Sequence, residues 1–195
     1  MFCTRSEAKG MAINMRVISG LKRGTNLFSP VTDKTRPTTD RVRENIFNLI
    51  RFYLPDANVL DLFAGSGAMG IEALSQGGKK CVFVDSAKEA YEIINKNIEK
   101  TKFYDRAEIY KMPFDTYLDK TKEQFDVIFL DPPYHKGLIF EAMKLIIKRK
   151  LYTDNCIFVL ESDSTEEIII PEGFEILKEK IYGRVKVTLV REVKI

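Results

Sequence analysis

The chain has 195 residues, of which 45% are hydrophobic and 30% are charged, and its formal net charge is +3. This size and balance are typical of one soluble globular domain, and no apolar stretch is long enough to span a membrane. The three cysteines, Cys3, Cys81 and Cys156, are too scattered for a disulfide framework or a zinc site, so we expect no metal. Residues 1–14 lack the apolar segment of a secretory signal, so we expect a cytoplasmic protein with a disordered tail there.

The charges are unevenly distributed. Residues 15–51 carry eight Lys or Arg against three Asp or Glu, and residues 178–195 carry six against two, which leaves the middle of the chain acidic. Basic ends around an acidic middle favour a polyanionic partner that is bound at the ends. Ordinary solvated faces would give the same count, so the charge pattern alone leaves both interpretations open.

The chain before residue 57 predicts a hairpin followed by a helix. Segments 15–19 and 25–28 flank Gly20 and Gly24 and read as two short strands. From 39 to 53 the apolar residues fall on one helical face. We expect residues 15–56 to form an N-terminal extension for substrate binding, attached to a core at 57–195 within one domain at 15–195.

From residue 57 onward, apolar strands alternate with amphipathic helices. This alternation predicts a mostly parallel sheet covered on both faces, a Rossmann-like α/β fold. The last two strands, around Gly183, have no helix between them, so we expect an antiparallel C-terminal hairpin. The predicted strands are 59–63, 80–84, 107–110, 125–130, 156–161, 174–182 and 186–190, and the predicted helices are 68–76, 87–100, 114–120 and 138–149.

A glycine loop follows the first of these strands. Gly65, Gly67 and Gly70 satisfy the G-x-G-x-x-G pattern, which permits a tight turn and close backbone approach to a nucleotide-type cofactor. Asp61 precedes the loop, where a carboxylate suits the ammonium of S-adenosylmethionine better than a pyrophosphate. Asp85 ends the next strand, where it can accept hydrogen bonds from ribose hydroxyls. A structural alternative is Asp61 as a loop former and Asp85 as a helix-capping residue.

The tetrapeptide Asp131, Pro132, Pro133 and Tyr134 follows the apolar segment 125–130. Asp131 and a proline carbonyl can accept hydrogen bonds from the two N–H groups of an exocyclic base amine. These bonds would localise the lone pair of the amine on its nitrogen. The prolines keep the turn rigid, and Asp131 can take up the released proton. Tyr134 offers a face on which a base can stack, an interaction worth about 1–3 kcal/mol. The alternative is a plain turn at the end of a strand.

These segments together resemble the RsmD family, which methylates the N2 amine of one guanine in 16S ribosomal RNA. The most specific part is the arginine- and threonine-rich segment 36–44. The resemblance covers nearly all of the chain from Met15 and includes 15–20, 23–24, 36–48, 61–67, 131–134 and 161–162.

The resemblance implies S-adenosylmethionine as the methyl donor and 16S rRNA within an assembling small ribosomal subunit as the partner. We expect the protein itself to be a monomer. The resemblance also implies roles for particular residues. The cofactor-binding set is Asp61, Phe63, Gly65, Gly67 and Asp85, the catalytic set is Asp131 to Tyr134, and the RNA-binding set is Arg36, Thr38, Thr39, Arg41 and Arg43. Pro113 stands where this class often has a polar residue beside the adenine, so Phe114 or Asp115 would have to make that contact.

Three other functions fit part of the sequence. A DNA adenine-N6 methyltransferase uses the same tetrapeptide, but 195 residues leave little room for a separate target-recognition domain. An NAD-dependent oxidoreductase would explain the glycine loop but not Asp131 to Tyr134. A noncatalytic RNA-binding protein would not need a rigid turn that grips an amine.

Overall fold

The computed structural model describes residues 11–30 and 39–194, and for 11–14 it describes the backbone alone. Nine strands and five α-helices occupy these ranges, together with short 3-10 turns at Gly20–Lys22 and Tyr104–Arg106. The strands are β1 Met11–Arg16, β2 Asn26–Pro30, β3 Asn58–Leu62, β4 Lys80–Asp85, β5 Ala107–Lys111, β6 Phe125–Leu130, β7 Tyr152–Asp163, β8 Phe174–Tyr182 and β9 Val185–Glu192. The helices are α1 Asp40–Ile50, α2 Ala68–Ser75, α3 Lys88–Thr101, α4 Phe114–Lys120 and α5 Leu138–Arg149.

Seven strands form the central sheet, in the order β5-β4-β3-β6-β7-β9-β8. The first five are parallel, as their continuous apolar segments predict. The chain runs outward from β3 through β4 to β5 and then returns to place β6 on the other side of β3. The strand order therefore reverses at β3, and open α/β folds bind their ligands at the carboxyl ends of the strands beside such a reversal.

The C-terminal hairpin enters the sheet with its second strand inside. β9 is antiparallel to both β7 and β8, so β8 at the edge runs in the same direction as the parallel strands. The expected antiparallel hairpin is confirmed, and its antiparallel strand lies one position inside the edge. This arrangement places the β8–β9 turn at the same end of the sheet as the carboxyl end of β7.

Two apolar layers cover the sheet. One face packs against α1, α2, α3 and the N-terminal hairpin, and the other packs against α4 and α5. The rings of Phe47 on α1 and Phe129 on β6 lie 5.8 Å apart, which fixes α1 over the centre of the sheet. Among the described residues, no helix is both long and apolar enough to span a membrane.

The N-terminal hairpin is bound to the core by buried polar side chains. The Glu72 carboxylate on α2 accepts hydrogen bonds from the backbone N–H groups of Ile18 and Ser19, at 2.7 and 2.9 Å. Ser75 accepts from the Lys22 backbone at 2.9 Å and donates to the Ser19 carbonyl. Because these bonds join segments more than fifty residues apart in sequence, the extension is packed onto the core as a continuous part of it.

The expected disordered tail over 1–14 is wrong for its last four residues. β1 begins at Met11 and pairs with β2 from Met11 opposite Pro30 to Arg16 opposite Asn26. β2 is held in place by the core through Phe28, and its backbone pairs with β1. This pairing makes β1 longer than the segment that the sequence pattern predicts. Residues 1–10 lie outside the described ranges.

Candidate active site

The glycine loop lies between the carboxyl end of β3 and the start of α2. Gly65 and Gly67 have φ values of +54° and +74°, in the left-handed region that favours glycine. A Cβ on Gly65 would meet nothing within 4 Å, whereas one on Gly70 would lie 2.3 Å from the Phe83 ring. The loop therefore borders open space at Gly65, whereas Gly67 and Gly70 both lie close to Phe83 and bring the start of α2 against the sheet.

Asp61 is a buried carboxylate beneath this loop, with 3% of its surface exposed. Its Oδ2 accepts the Gly70 backbone N–H at 2.9 Å. Burial raises the pKa of Asp61 from 3.8 to about 7; the Gly70 hydrogen bond opposes this rise and the Asp85 charge adds to it. Because burial makes the ionised form of Asp61 unfavourable, a cationic ligand beside the carboxylate would stabilise that form.

Asp85 ends β4 on the other side of the loop. Its Oδ2 accepts the Gly65 N–H at 2.9 Å and its Oδ1 accepts the Ala87 N–H at 2.8 Å. These bonds hold the loop against the segment that leads into α3, whose N-cap residue is Ala87 and not Asp85. A carboxylate offers about four lone-pair sites, so the same oxygens retain capacity for two hydroxyl donors.

An aromatic pair flanks the loop. Phe63 follows β3 with a φ of +74°, a conformation rare for a bulky residue, and the N–H groups of Phe63 and Ala64 both donate to the Val84 carbonyl. Its ring lies 5.0 Å from that of Phe114, the first residue of α4. Phe114 is therefore beside the predicted cofactor loop, whereas Asp115 is exposed and accepts from its neighbour Thr116.

The tetrapeptide lies directly across from the loop. β6 and β3 are adjacent, with Leu130 opposite Leu62, so Asp131 follows β6 at the same level of the sheet as Phe63 follows β3. Asp131 is half-buried. Its pKa is raised well above the ordinary range, first by desolvation and then by the negative charges of Glu161 and Asp61.

Glu161 belongs to this cluster and was not among the residues predicted for the site. It lies near the end of β7, is 5% exposed, and accepts a hydrogen bond from the Tyr134 hydroxyl at 3.2 Å. Burial raises the pKa of Tyr134, and Glu161 and Asp131 raise it further. In the sequence, Glu161 is recognised only as part of a family segment. The predicted strand 156–161 ends at this residue, but nothing local shows that the side chain lies beside Tyr134.

The predicted RNA-binding residues occupy different environments. Arg41 is exposed on the first turn of α1, and Thr39 caps this helix by accepting the Val42 N–H at 3.4 Å. Arg36 and Thr38 lie outside the described residues.

Arg43 is 1% exposed, which argues against the predicted contact with RNA. Its guanidinium donates to the Arg16 carbonyl at 2.6 Å and to Asp40 at 2.8 Å, and burial lowers its pKa. The buried group thus joins α1 to β1 and has no surface to offer a phosphate.

Asn97 on α3 connects the N-terminal hairpin with the glycine loop, and no sequence pattern indicated it. Its amide is fully buried, accepts the Phe28 N–H at 2.7 Å, and donates to the carbonyls of Phe28 and Ser66, both at 2.9 Å. One side chain therefore fixes both the edge of β2 and the middle of the loop.

The strand order and the polar groups gathered at the ends of β3, β4 and β6 place the protein among the Rossmann-like methyltransferases. It is similar to the solved structure of a putative methyltransferase, yhhF, from Escherichia coli. The TM-score is 0.80 and the identity is 31%, over 92% of this chain and 99% of that chain.

Sequence comparison defines the family. Residues 15–191 match the family model described as conserved hypothetical protein 95. Ribosomal RNA small subunit methyltransferase D from Haemophilus influenzae is 36% identical over 185 residues, which is 93% of this chain and 94% of that protein. Putative rRNA methyltransferase YlbH from Bacillus subtilis is 36% identical over 184 residues, 91% of this chain and 99% of that protein. The chain belongs to the RsmD family of methyltransferases, as the resemblance in sequence predicted.

Proposed function

We propose that this protein transfers a methyl group from S-adenosylmethionine to the exocyclic N2 amine of a guanine in 16S ribosomal RNA. One observation carries the proposal: the glycine loop and Asp131 follow adjacent strands, β3 and β6, at the point where the strand order reverses. Adjacent strands lie about 4.8 Å apart, so a cofactor on the loop and a base amine at Asp131 would be close enough to react. The names of the relatives support ribosomal RNA as the substrate.

The loop residues fit the donor. Asp61 is an acidic group beneath the loop, suited to the ammonium of the amino-acid end. Gly65 leaves the backbone accessible, and the positive φ of Gly67 shapes the turn. Asp85 has lone pairs for both ribose hydroxyls, and Phe63 with Phe114 can border the adenine. When bound, S-adenosylmethionine supplies an electrophilic methyl group.

The residues after β6 act on the base. The Asp131 carboxylate and the carbonyl of Pro132 or Pro133 accept hydrogen bonds from the two N–H groups of the amine. These bonds localise the lone pair on the nitrogen and orient it toward the methyl donor. Asp131 takes up the proton that the amine loses, and its raised pKa makes it a stronger base than an ordinary carboxylate. Tyr134 stacks on the base, and its hydroxyl is held by Glu161.

The RNA would meet the N-terminal extension beside this pocket. Arg41 is the exposed cation of α1 in the described part of the family segment, and we assign it a phosphate contact; Arg36, Thr38 and Thr39 belong to the same proposed rim. Arg43 is left out because its guanidinium is buried. The substrate would be a partly assembled small subunit in the cytoplasm, met by a monomeric enzyme.

The test is methyl transfer from labelled S-adenosylmethionine to small subunits that lack the modification, followed by nucleoside analysis. Label in N2-methylguanosine is expected with the wild type. Asp131→Ala should abolish the label and still bind the cofactor in calorimetry. Label in N6-methyladenosine, or wild-type turnover by Asp131→Ala, would contradict the proposal.

A further inference from the structure

Glu161 stands beside Asp131 at the carboxyl edge of the sheet. β6 and β7 are parallel, with Leu130 opposite Leu160, so Asp131 and Glu161 are the next residues on the two strands. The influence of the Glu161 charge on the pKa of Asp131 agrees with this proximity. A buried carboxylate next to the proposed amine-gripping residue is placed to contact the base itself.

Glu161 also lines a small cleft with the residues proposed to hold the base. The cleft is narrow, and it is bordered by Pro132, Pro133, Tyr134, Leu138, Ile139, Glu161 and Glu166. The hydroxyl of Tyr134 donates to Glu161 Oε1 at 3.2 Å, so one oxygen orients the stacking ring. A carboxylate has about four lone-pair sites, so it can accept more than one hydrogen bond at a time.

The edge of guanine that carries the 2-amine also carries a second donor. In guanine, N1 bears a hydrogen next to the amine at C2, whereas in adenine N1 is an acceptor next to the amine at C6. A carboxylate beside the amine-binding group accepts the N1–H of guanine, but it faces a lone pair if adenine takes the same position. The chemistry of a neighbouring carboxylate therefore separates two bases whose amines Asp131 could hold equally well.

We propose that Glu161 is a specificity-determining residue that selects guanine by accepting its N1–H while it holds the Tyr134 hydroxyl. This inference rests on the proposed function and deepens it. Its energetic basis is that a buried acceptor left without its donor loses its solvation and gains nothing in return. Asp131 is then free to serve the amine alone.

The experiment compares two bases at the target position, once the modified guanine has been mapped. Small subunits are reconstituted with 16S rRNA that carries either guanine or 2-aminopurine there. 2-Aminopurine keeps the 2-amine but has an unprotonated N1 and no oxygen at C6. The wild type should methylate it at least about 100-fold less efficiently, measured as kcat/KM, because a site built to accept an N–H rejects an analogue that lacks it.

Three variants distinguish a role of Glu161 in selecting the base from a role in holding the Tyr134 ring. Glu161→Gln keeps an oxygen for the Tyr134 hydroxyl and gains an amide N–H for an unprotonated N1, so the preference for guanine should narrow to within about tenfold. Tyr134→Phe removes the hydrogen bond to Glu161 and should slow both substrates while keeping the wild-type preference. Glu166→Gln is the matched control, because Glu166 borders the same cleft and its carboxylate accepts the His135 backbone N–H at 3.1 Å, an interaction that a Gln oxygen can keep. It should also keep the preference.

The outcomes are distinct. Equal methylation of guanine and 2-aminopurine by the wild type would overturn the role of Glu161 while the proposed function stands, and this result does not depend on whether any variant folds. An undiminished preference in a folded Glu161→Gln, shown by normal cofactor binding and thermal unfolding, would overturn it as well. Absence of label in guanine would overturn the proposed function together with this inference.

Discussion

Lowering the pH from 7.0 to 5.5 should weaken binding of S-adenosylhomocysteine, a stable analogue with the same amino-acid end, by about 16-fold. Asp61 has a raised pKa of about 7, and the ammonium of the ligand should bind only its ionised form. With that pKa, about half of the carboxyl groups are ionised at pH 7.0 and about 3% at pH 5.5, a difference of about 1.6 kcal/mol in binding. The ligand's amine stays cationic in this range because α-amino groups titrate near 7.7–8.0.

Isothermal titration calorimetry at several pH values measures this dependence. At pH 7.0, buffers with different ionisation enthalpies should also reveal release of about half a proton on binding, because binding ionises the protonated half of the Asp61 population. Asp61→Asn should bind weakly with an affinity that does not vary with pH. Asp131→Asn, the matched control, should keep the wild-type slope. A wild-type affinity that is constant between pH 5.5 and 7.0 would refute the role assigned to Asp61.

Other substitutions test the remaining features. Asp61→Asn should stabilise the ligand-free protein at pH 8 by up to about 4 kcal/mol and have little effect at pH 4, because a raised carboxyl pKa costs stability as pH rises from 3.8 to about 7; urea unfolding at both pH values measures this. Arg41→Glu should weaken binding to small subunits without changing thermal unfolding, and unchanged binding would remove Arg41 from the RNA interface. Arg43→Ala should lower the free energy of unfolding by about 2–4 kcal/mol through its lost buried hydrogen bonds, and an unaltered unfolding midpoint would contradict the account of its burial. Asn97→Ala should cost about 2–3 kcal/mol and weaken cofactor binding, since Phe28 and Ser66 lose their partner; normal affinity in this variant would show that the loop holds its shape without it.

The sequence predicted the core of the fold well because its signals are local. Alternation of apolar segments with amphipathic ones predicted the strands and helices from β3 to α5, and the glycine loop and the tetrapeptide lie at the ends of strands as expected. The burial of Arg43 could not be predicted from the local sequence. The helical pattern placed Arg43 at the border of the apolar face, and only its contacts with Arg16 and Asp40 show that it is buried. Asn97 could not be found at all, since its partner Phe28 is 69 residues away. Glu161 was missed as a site residue because its contact with Tyr134 spans 27 residues.

The position of β9 has a consequence for how the protein acquires its activity. In the described part of the chain β8 pairs with β9 and with no other strand, so β8 can join the sheet only together with β9 or after it. Until then the edges of β7 and β8 can pair with other chains, and Lys178, Glu179 and Lys180 place charges on the strand that stays at the edge, a common protection against aggregation. Docking sets Val187 beside Glu161. The carboxylate that would select the base is thus flanked by β9, and a chain in which β9 has not yet docked on β7 would not be able to select its substrate.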